Sequence, residues 1–306
     1  MRIRSAAGWV IKIILWIGVA LIVLTAILIG IYYLQIHQTN GQITTGGQTR
    51  DYLLYVPKSY QPTVPTALII SMHGFAEWPA HQAEISRWND LADQNGFIVV
   101  YPAGTGFPPR WSSSGPDWQK EVQFISDLID HLAGQYAIDP ARIYNNGLSN
   151  GGGMSFLLSC KLADRIAAAG GVSGAYLLSW KECDPARPVP FIALHGTADP
   201  IVPYEGGRSA SFNNPFPSIP DWVRALAKHN GCADTPAALA VSAEVSGVSY
   251  DRCSHNAGVD FYTIRGGGHA WPGGPAMPPV IVGYTSQEID ATRVIWEFFK
   301  QHPLEK

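Results

Sequence analysis

Apolar positions fall in distinct rhythms along this chain. From Ile13 to Leu34 no charged residue occurs in 22 positions, which as a helix measures about 33 Å against a bilayer core of about 30 Å. Past residue 46 the pattern changes to short apolar runs at 52–56, 67–72, 97–101, 142–146, 167–172, 190–194 and 259–264. These have strand length and are bounded by turn residues. Stretches of helical character lie between them, near 81–94, 119–135, 150–163, 219–229 and 286–300. Such alternation predicts an α/β domain with a mainly parallel sheet and helices on both faces. Roughly 260 residues follow the apolar run, within reach of one α/β core, and no repeat of 20–50 residues divides them.

The N-terminal run reads as a transmembrane signal-anchor over 13–34. Arg2, Arg4 and Lys12 precede it, whereas Gln35 to Thr49 carries no Lys or Arg, so the positive-inside bias leaves residues 1–12 in the cytoplasm and the remainder outside. Tyr32 and Tyr33 suit the outer interface. A cleaved signal peptide, which would make the protein secreted, has an apolar region of about 7–15 residues and a small-residue cleavage site. This run ends Ile31-Tyr32-Tyr33-Leu34 without such a site. Residues 35–46, rich in Gln, Thr and Gly, read as a tether, and 47–306 as the globular domain. A formal charge of −3 and the lack of a basic run argue against nucleic acid as a partner.

Candidate chemistry begins at Gly147-Leu148-Ser149-Asn150-Gly151, placed between the strand-like Arg142–Asn146 and a helix-compatible stretch. In this setting the pentapeptide matches a nucleophile elbow, the tight strand-to-helix turn of α/β-hydrolases that lifts a serine hydroxyl out of the sheet. The serine backbone is strained there, and side chains two residues either side would strike the neighbouring strand and helix. Such a fold needs an acid and then a histidine later in the chain. Asp199 follows the run Pro190–His195 in the loop Gly196-Thr197-Ala198-Asp199-Pro200, and His269 follows Val259–Ile264 in the loop Gly266–Gly274. In that order His269 takes the serine proton and returns it to the leaving group, while Asp199 fixes the imidazole tautomer. The buried run Ala67–Met72 leads into His73-Gly74-Phe75-Ala76, where this fold supplies an oxyanion donor. The two donors are placed at the amides of Phe75 and of Asn150. His73 and His195, taken singly, read as structural or supporting histidines.

Four stretches carry a family resemblance: Arg50-Asp51-Tyr52-Leu53-Leu54-Tyr55-Val56-Pro57, Gly147-Leu148-Ser149-Asn150-Gly151-Gly152-Gly153-Met154, His195-Gly196-Thr197-Ala198-Asp199-Pro200-Ile201-Val202-Pro203-Tyr204 and Gly268-His269-Ala270-Trp271-Pro272-Gly273-Gly274. Over about residues 42–303 the chain resembles the polyhydroxybutyrate depolymerase family, the esterase group that also holds feruloyl and acetylxylan esterases of the carbohydrate-esterase type. The resemblance implies a serine esterase with Ser149 as nucleophile, Asp199 as acid and His269 as base, and no cofactor. The chain departs from its relatives at Gln119-Lys120-Glu121-Val122-Gln123-Phe124, where a paired-aspartate stretch is common, and this puts local packing in question.

Four cysteines, an even number, suit an oxidising compartment. The resemblance and their nearness in sequence suggest Cys160 with Cys183 and Cys232 with Cys253; spacing alone leaves the other connectivities, and unlinked thiols, open. No Cys/His pair has tight zinc spacing, so no metal site is expected. Phe107-Pro108-Pro109-Arg110-Trp111 and Phe212-Asn213-Asn214-Pro215-Phe216-Pro217 read as cleft rims, with Trp111, Tyr204 and Trp271 as substrate contacts for an apolar acyl or aromatic group. The same aromatics are equally ordinary as core caps. With no separate substrate-binding module, a small or oligomeric ester is favoured over a crystalline polymer. A peptidase of the same fold, or a membrane-tethered binding domain with a silent site, are the other classes, and the intact triad speaks against the second.

Overall fold

The computed structural model describes residues 3–209, 211–213, 215–239 and 242–305. Arg2 and Asn214, and the side chains of Arg4, Tyr32 and Tyr33, lie outside the described residues. The chain forms two units, one up to Gln38 and one from Thr39 onward. The first is helix α1 (Ile3–Ile36). Its segment Gly8–Ile31, 24 residues of mean hydropathy 2.9, is long and apolar enough to cross a membrane.

Among the described residues the second unit has ten strands: β1 (Gly41–Thr45), β2 (Gln48–Tyr55), β3 (Thr66–Met72), β4 (Ile98–Pro102), β5 (Ile138–Leu148), β6 (Ala168–Val172), β7 (Phe191–Gly196), β8 (Ala237–Leu239), β9 (Val245–Tyr250) and β10 (Val259–Ile264). They lie in the order β1-β2-β4-β3-β5-β6-β7-β10-β9-β8. The six strands from β4 to β10 in that order run parallel, and antiparallel ribbons finish both edges. Every residue of β3, β4, β6 and β7 is buried, which is why these segments read as unbroken apolar runs.

Among the described residues seven further helices flank the sheet: α2 (Pro79–Ser86), α3 (Trp88–Asn95), α4 (Trp118–Ala133), α5 (Asn150–Lys161), α6 (Ile219–His229), α7 (Pro279–Val282) and α8 (Ala291–Gln301). Successive side chains of β3 alternate between faces. Leu68 and Ile70 join Phe124, Leu128, Phe156 and Trp222 from α4, α5 and α6. Ile69 joins Trp88, Phe97, Trp296 and Phe299 beside α3 and α8. Cys160 pairs with Cys183 and Cys232 with Cys253. The first bond ties the end of α5 to the segment that leads into β7.

Two expectations change. The tether of 35–46 is too long, because Gly41–Thr45 is an edge strand paired with β2, Gly41 opposite Tyr52. Gly46 and Gly47, both at positive φ (54° and 76°), supply the two-residue turn whose twist suits a hairpin. The helix near 81–94 is two helices, interrupted at Arg87 in the left-handed region (φ 54°, ψ 28°). The segment between Cys232 and Cys253 contains β8 and β9. The departure at Gln119–Phe124 is a buried ion pair, with Glu121 Oε2 2.9 Å from Arg50 Nη2 and the guanidinium 3.9 Å over the Phe124 ring.

Candidate active site

Ser149 sits between the end of β5 and the start of α5, with φ 55° and ψ −116°. A non-glycine residue held there costs on the order of 1–3 kcal/mol. The surroundings hold it in place: its N–H donates to Val172 O (2.9 Å), and its carbonyl accepts from Gly153 (3.0 Å) and Ala175 (2.9 Å). The flanking glycines have the steric role expected of them. A Cβ on Gly147 would lie 2.4 Å from Gly151 C, and one on Gly151 would lie 2.2 Å from Met72 O.

Asp199 and His269 leave the C-terminal ends of β7 and β10, which are paired parallel neighbours. His269 Nδ1 lies 2.8 Å from Asp199 Oδ2, which leaves Nε2 as the nitrogen available to accept a proton. The other carboxylate oxygen accepts the amides of Ile201 and Val202, both at 2.8 Å. His195 Nε2 stands 3.3 Å from Asp199 Oδ2 and donates to Val202 O at 2.9 Å. Burial alone would raise the Asp199 proton affinity; the facing charge of His269 and the contacts with both imidazoles outweigh it and hold the carboxyl well below its usual range. The acid is therefore charged at neutral pH.

On the other side of the serine, the turn after β3 approaches closely, since a Cβ on Gly74 would lie 3.4 Å from Ser149 Cβ. Gly74 N–H donates to Glu77 Oε2 (2.8 Å) and Ala76 N–H to Pro109 O (2.8 Å). Among the described residues the Phe75 amide between them has no backbone acceptor. Asn150 opens α5, so its N–H is one of the four that a helix leaves unpaired at its start. Its side chain grips the backbone of Trp111, accepting from its N–H (2.7 Å) and donating to its carbonyl (3.0 Å). Burial would raise the Glu77 carboxyl, but the hydrogen bond and charge of His81, 3.6 Å away, with the Gly74 amide, carry it below its ordinary value. Neither the Glu77 contact nor the Asn150 side-chain clamp was visible in the sequence, where an acid three residues past Gly74 was the one available signal.

A family profile described as Esterase PHB depolymerase matches residues 50–184. Over 159 residues the chain is 35% identical to a bifunctional acetylxylan esterase/xylanase of Neocallimastix patriciarum, covering 52% of this chain and 23% of that protein's length. It is 29% identical to feruloyl esterase C of Emericella nidulans over 85% of this chain and 87% of the relative. These matches support a polyhydroxybutyrate depolymerase/feruloyl esterase-like family for this chain. An acetyl xylan esterase from Aspergillus awamori, 16% identical, superposes with a TM-score of 0.58 over 85% of this chain and 98% of its own, which places the family's α/β-hydrolase fold here.

Within this esterase scaffold the aromatic expectations divide. Trp111 and Trp271 are not rim residues, being only 2% and 3% exposed. Each indole has an internal acceptor, His73 O at 3.0 Å for Trp111 and Thr292 Oγ1 at 2.9 Å for Trp271, which satisfies its polar end inside the core. Tyr204 is half-buried, stacked on Phe261 and hydrogen-bonded to Thr263 Oγ1. Beside the free Phe75 amide the aromatic surface is instead Phe75 itself, 39% exposed, set edge-on to Phe212 at 5.6 Å. Phe212 in turn meets Phe216. Phe107 projects into solvent. Paired disulfides and an N-terminal apolar helix mark this esterase as an extracellular or secreted protein.

Proposed function

We propose that the protein cleaves carboxylic esters through an acyl-enzyme, with Ser149 as nucleophile, His269 as base, Asp199 as its orienting acid and the amides of Phe75 and Asn150 as oxyanion donors. The observation that carries this reading is the 2.8 Å contact of His269 with Asp199, at the sheet end where the strained elbow presents Ser149. His269 Nε2 removes the hydroxyl proton as Oγ attacks the ester carbonyl. The two amides take the charge that develops on the carbonyl oxygen, in general the largest single catalytic contribution. The imidazolium then protonates the departing alcohol, and a water repeats the sequence to release the acid. The Phe75–Phe212 pair favours an apolar or aromatic group near the reacting carbon. Hydroxybutyrate oligomers and feruloyl or acetyl esters are the candidate substrates, in keeping with relatives described as feruloyl and acetylxylan esterases. Helix α1 acts as an uncleaved anchor that holds residues 47–306 outside the cytoplasmic membrane.

The test is a panel of p-nitrophenyl butyrate, hydroxybutyrate trimer, feruloyl esters and acetylated xylan offered to the wild type and to Ser149→Ala. Turnover lost in the variant with the fold retained supports the reading. Turnover by Ser149→Ala within tenfold of wild type overturns it.

A further inference from the structure

Between His269 and Glu288 the chain carries no charged residue, and from Pro275 to Gly283 it carries no polar side chain. A run of that kind ordinarily goes into a core. Here it rises to the surface: Val280 is 92% and Ile281 62% exposed, and in α7 only Val282 is buried. A contiguous apolar surface of this sort marks a place where something binds.

The ridge is held against both loops that carry the acid and the base. The Val282 carbonyl accepts the main-chain N–H of His269 at 2.5 Å, and the Tyr284 carbonyl that of Gly268 at 2.8 Å. A Cβ on Gly268 would lie 2.0 Å from Val282 O, and one on Gly283 would lie 3.7 Å from both Ala198 O and Pro200 Cδ, beside Asp199. Val280 and Ile281 share a turn of α7 with Val282, within about one helical pitch of 5.4 Å from the residue that grips His269. The amides of Ile281, Val282 and Gly283 are spent on the carbonyls of Pro278 and Pro279. A sugar hydroxyl stripped of water here would gain no partner from them. A lipid headgroup would meet no Lys or Arg along 270–287, and two aliphatic side chains fall far short of the roughly 800 Å² per partner of a stable protein interface. What they match is a small apolar group. The alcohol of the ester is the part that takes its proton from the imidazole, so it departs past the His269 loop, whereas Phe75 stands on the oxyanion side.

We propose that Val280 and Ile281 form the alcohol-side subsite of this enzyme and select esters of apolar alcohols over esters of sugars. The two side chains bury the alkyl part of the alcohol while His269 protonates its oxygen, and they take no part in the bond changes. This inference rests on the esterase reading above and narrows its substrates.

The experiment places the full chain in phosphatidylcholine nanodiscs, which keep detergent off the ridge, and offers three butyrates that differ only in the alcohol: methyl butyrate, butyl butyrate and 6-O-butyryl-glucose. All three pass through one acyl-enzyme, so kcat/KM reads the alcohol alone. Wild type is expected to favour the butyl ester over the other two roughly tenfold, the low end of what a few methylenes are worth in an apolar site. The double variant Val280→Ser, Ile281→Ser should bring the butyl ester to within about twofold of the methyl ester and leave the methyl ester unchanged. Val280→Leu with Ile281→Leu, which keeps the hydrocarbon, should retain the preference. Val280→Ser alone, at the more exposed position, replaces the double variant if that does not fold. Equal losses on methyl and butyl esters would show that the ridge only props the His269 loop, and would overturn the proposal. So would a butyl preference that survives in the serine variant, or a sugar ester turned over as fast as the butyl ester by wild type. A variant that changes only the mass of the assembly, or only adsorption to phosphatidylcholine vesicles, would assign the ridge to a second copy or to lipid and overturn it as well. No discrimination among alcohols, with activity abolished in Ser149→Ala, refutes the subsite and spares the esterase reading. Activity retained in Ser149→Ala removes both.

Discussion

The dipeptide His-Gly occurs at the exits of two parallel strands, His73-Gly74 after β3 and His195-Gly196 at the end of β7, and both imidazoles are buried. The similarity ends with their partners. His73 has a donor on one nitrogen and an acceptor on the other, and it grips the turn that carries the Phe75 amide. His195 directs Nε2 toward Val202 O and the Asp199 carboxylate, while its Nδ1 has no hydrogen-bond partner among the described residues. One histidine thus fixes a backbone donor by two bonds. The other leans against an acid whose second oxygen is already wrapped by the amides of Ile201 and Val202. A buried residue at a strand exit takes its meaning from the loop that follows, and the dipeptide alone does not supply it.

The comparison is tested most severely on the acid side. Asp199→Asn is expected to leave the loop in place yet remove the charge that selects the His269 tautomer, at a cost of about four powers of ten in kcat. His269→Ala should be at least as damaging, read as p-nitrophenyl butyrate turnover in protein whose circular dichroism is unchanged. On the oxyanion side the ceiling is lower, roughly 10²- to 10³-fold for Phe75→Pro. An Asp199→Asn loss smaller than the Phe75→Pro loss would reverse the ranking of the two halves.

Acid titration bears on His73 next. The His73 proton affinity is depressed from an ordinary 6.5 to about 4 in the folded state, so between those values the unfolded chain binds the proton more strongly. The stability tied to a neutral His73 is therefore complete above about pH 6.5 and is lost as pH falls toward 4. The loss is on the order of 3 kcal/mol. Asp199, also depressed, adds a further loss only at lower pH, below the ordinary carboxylate range. Urea melts of wild type and His73→Asn at pH 7 and pH 4.5 read this directly, and the gap between them should shrink at the lower pH.

Much of this arrangement is legible in the sequence because the chemistry is local. Ser149, Asp199 and His269 each stand just past an apolar run with a glycine within three residues, and the collision that demands Gly147 and Gly151 follows from the elbow alone. What stayed hidden depends on partners far along the chain. Whether a tryptophan lines a cleft or the core turns on its N–H finding an acceptor inside, and Thr292 and the His73 carbonyl give Trp271 and Trp111 no sequence signature. The β1 strand was hidden for a different reason, since its Gln, Thr and Gly composition suits a tether as well as an edge.

Smaller effects follow. His195→Leu should cost about 1 kcal/mol of support to the Asp199 loop, a roughly fivefold fall in kcat/KM, and His195→Gln, which keeps an N–H directed at Val202 O, should recover most of it. Equal losses in both variants would show that the ring's packing matters more than its donor. Trp111→Phe should lower stability by about 1 kcal/mol through the lost bond to the His73 carbonyl, with KM unchanged, whereas a large rise in KM would return Trp111 to the substrate. Reduction of the two disulfides, each closing a loop of just over 20 residues, should lower Tm by the equivalent of roughly 2–4 kcal/mol per bond.

The hairpin formed by β1 and β2 also determines where this polypeptide tolerates being cut. Asn40 is already clamped to the sheet, its side chain bonded to both the N–H and the carbonyl of Leu54 and its own amide to Tyr52 O. A protease acting before residue 39 would release the catalytic unit with its edge strand intact. Cleavage at Gly46-Gly47, the exposed tip of the hairpin, would remove the covalent link that keeps β1 beside β2, and its departure would bare the polar backbone of β2. An uncovered strand of that kind is a template for pairing with another chain, so a shed enzyme trimmed a few residues too far is expected to be lost to self-association while its catalytic groups are still in place.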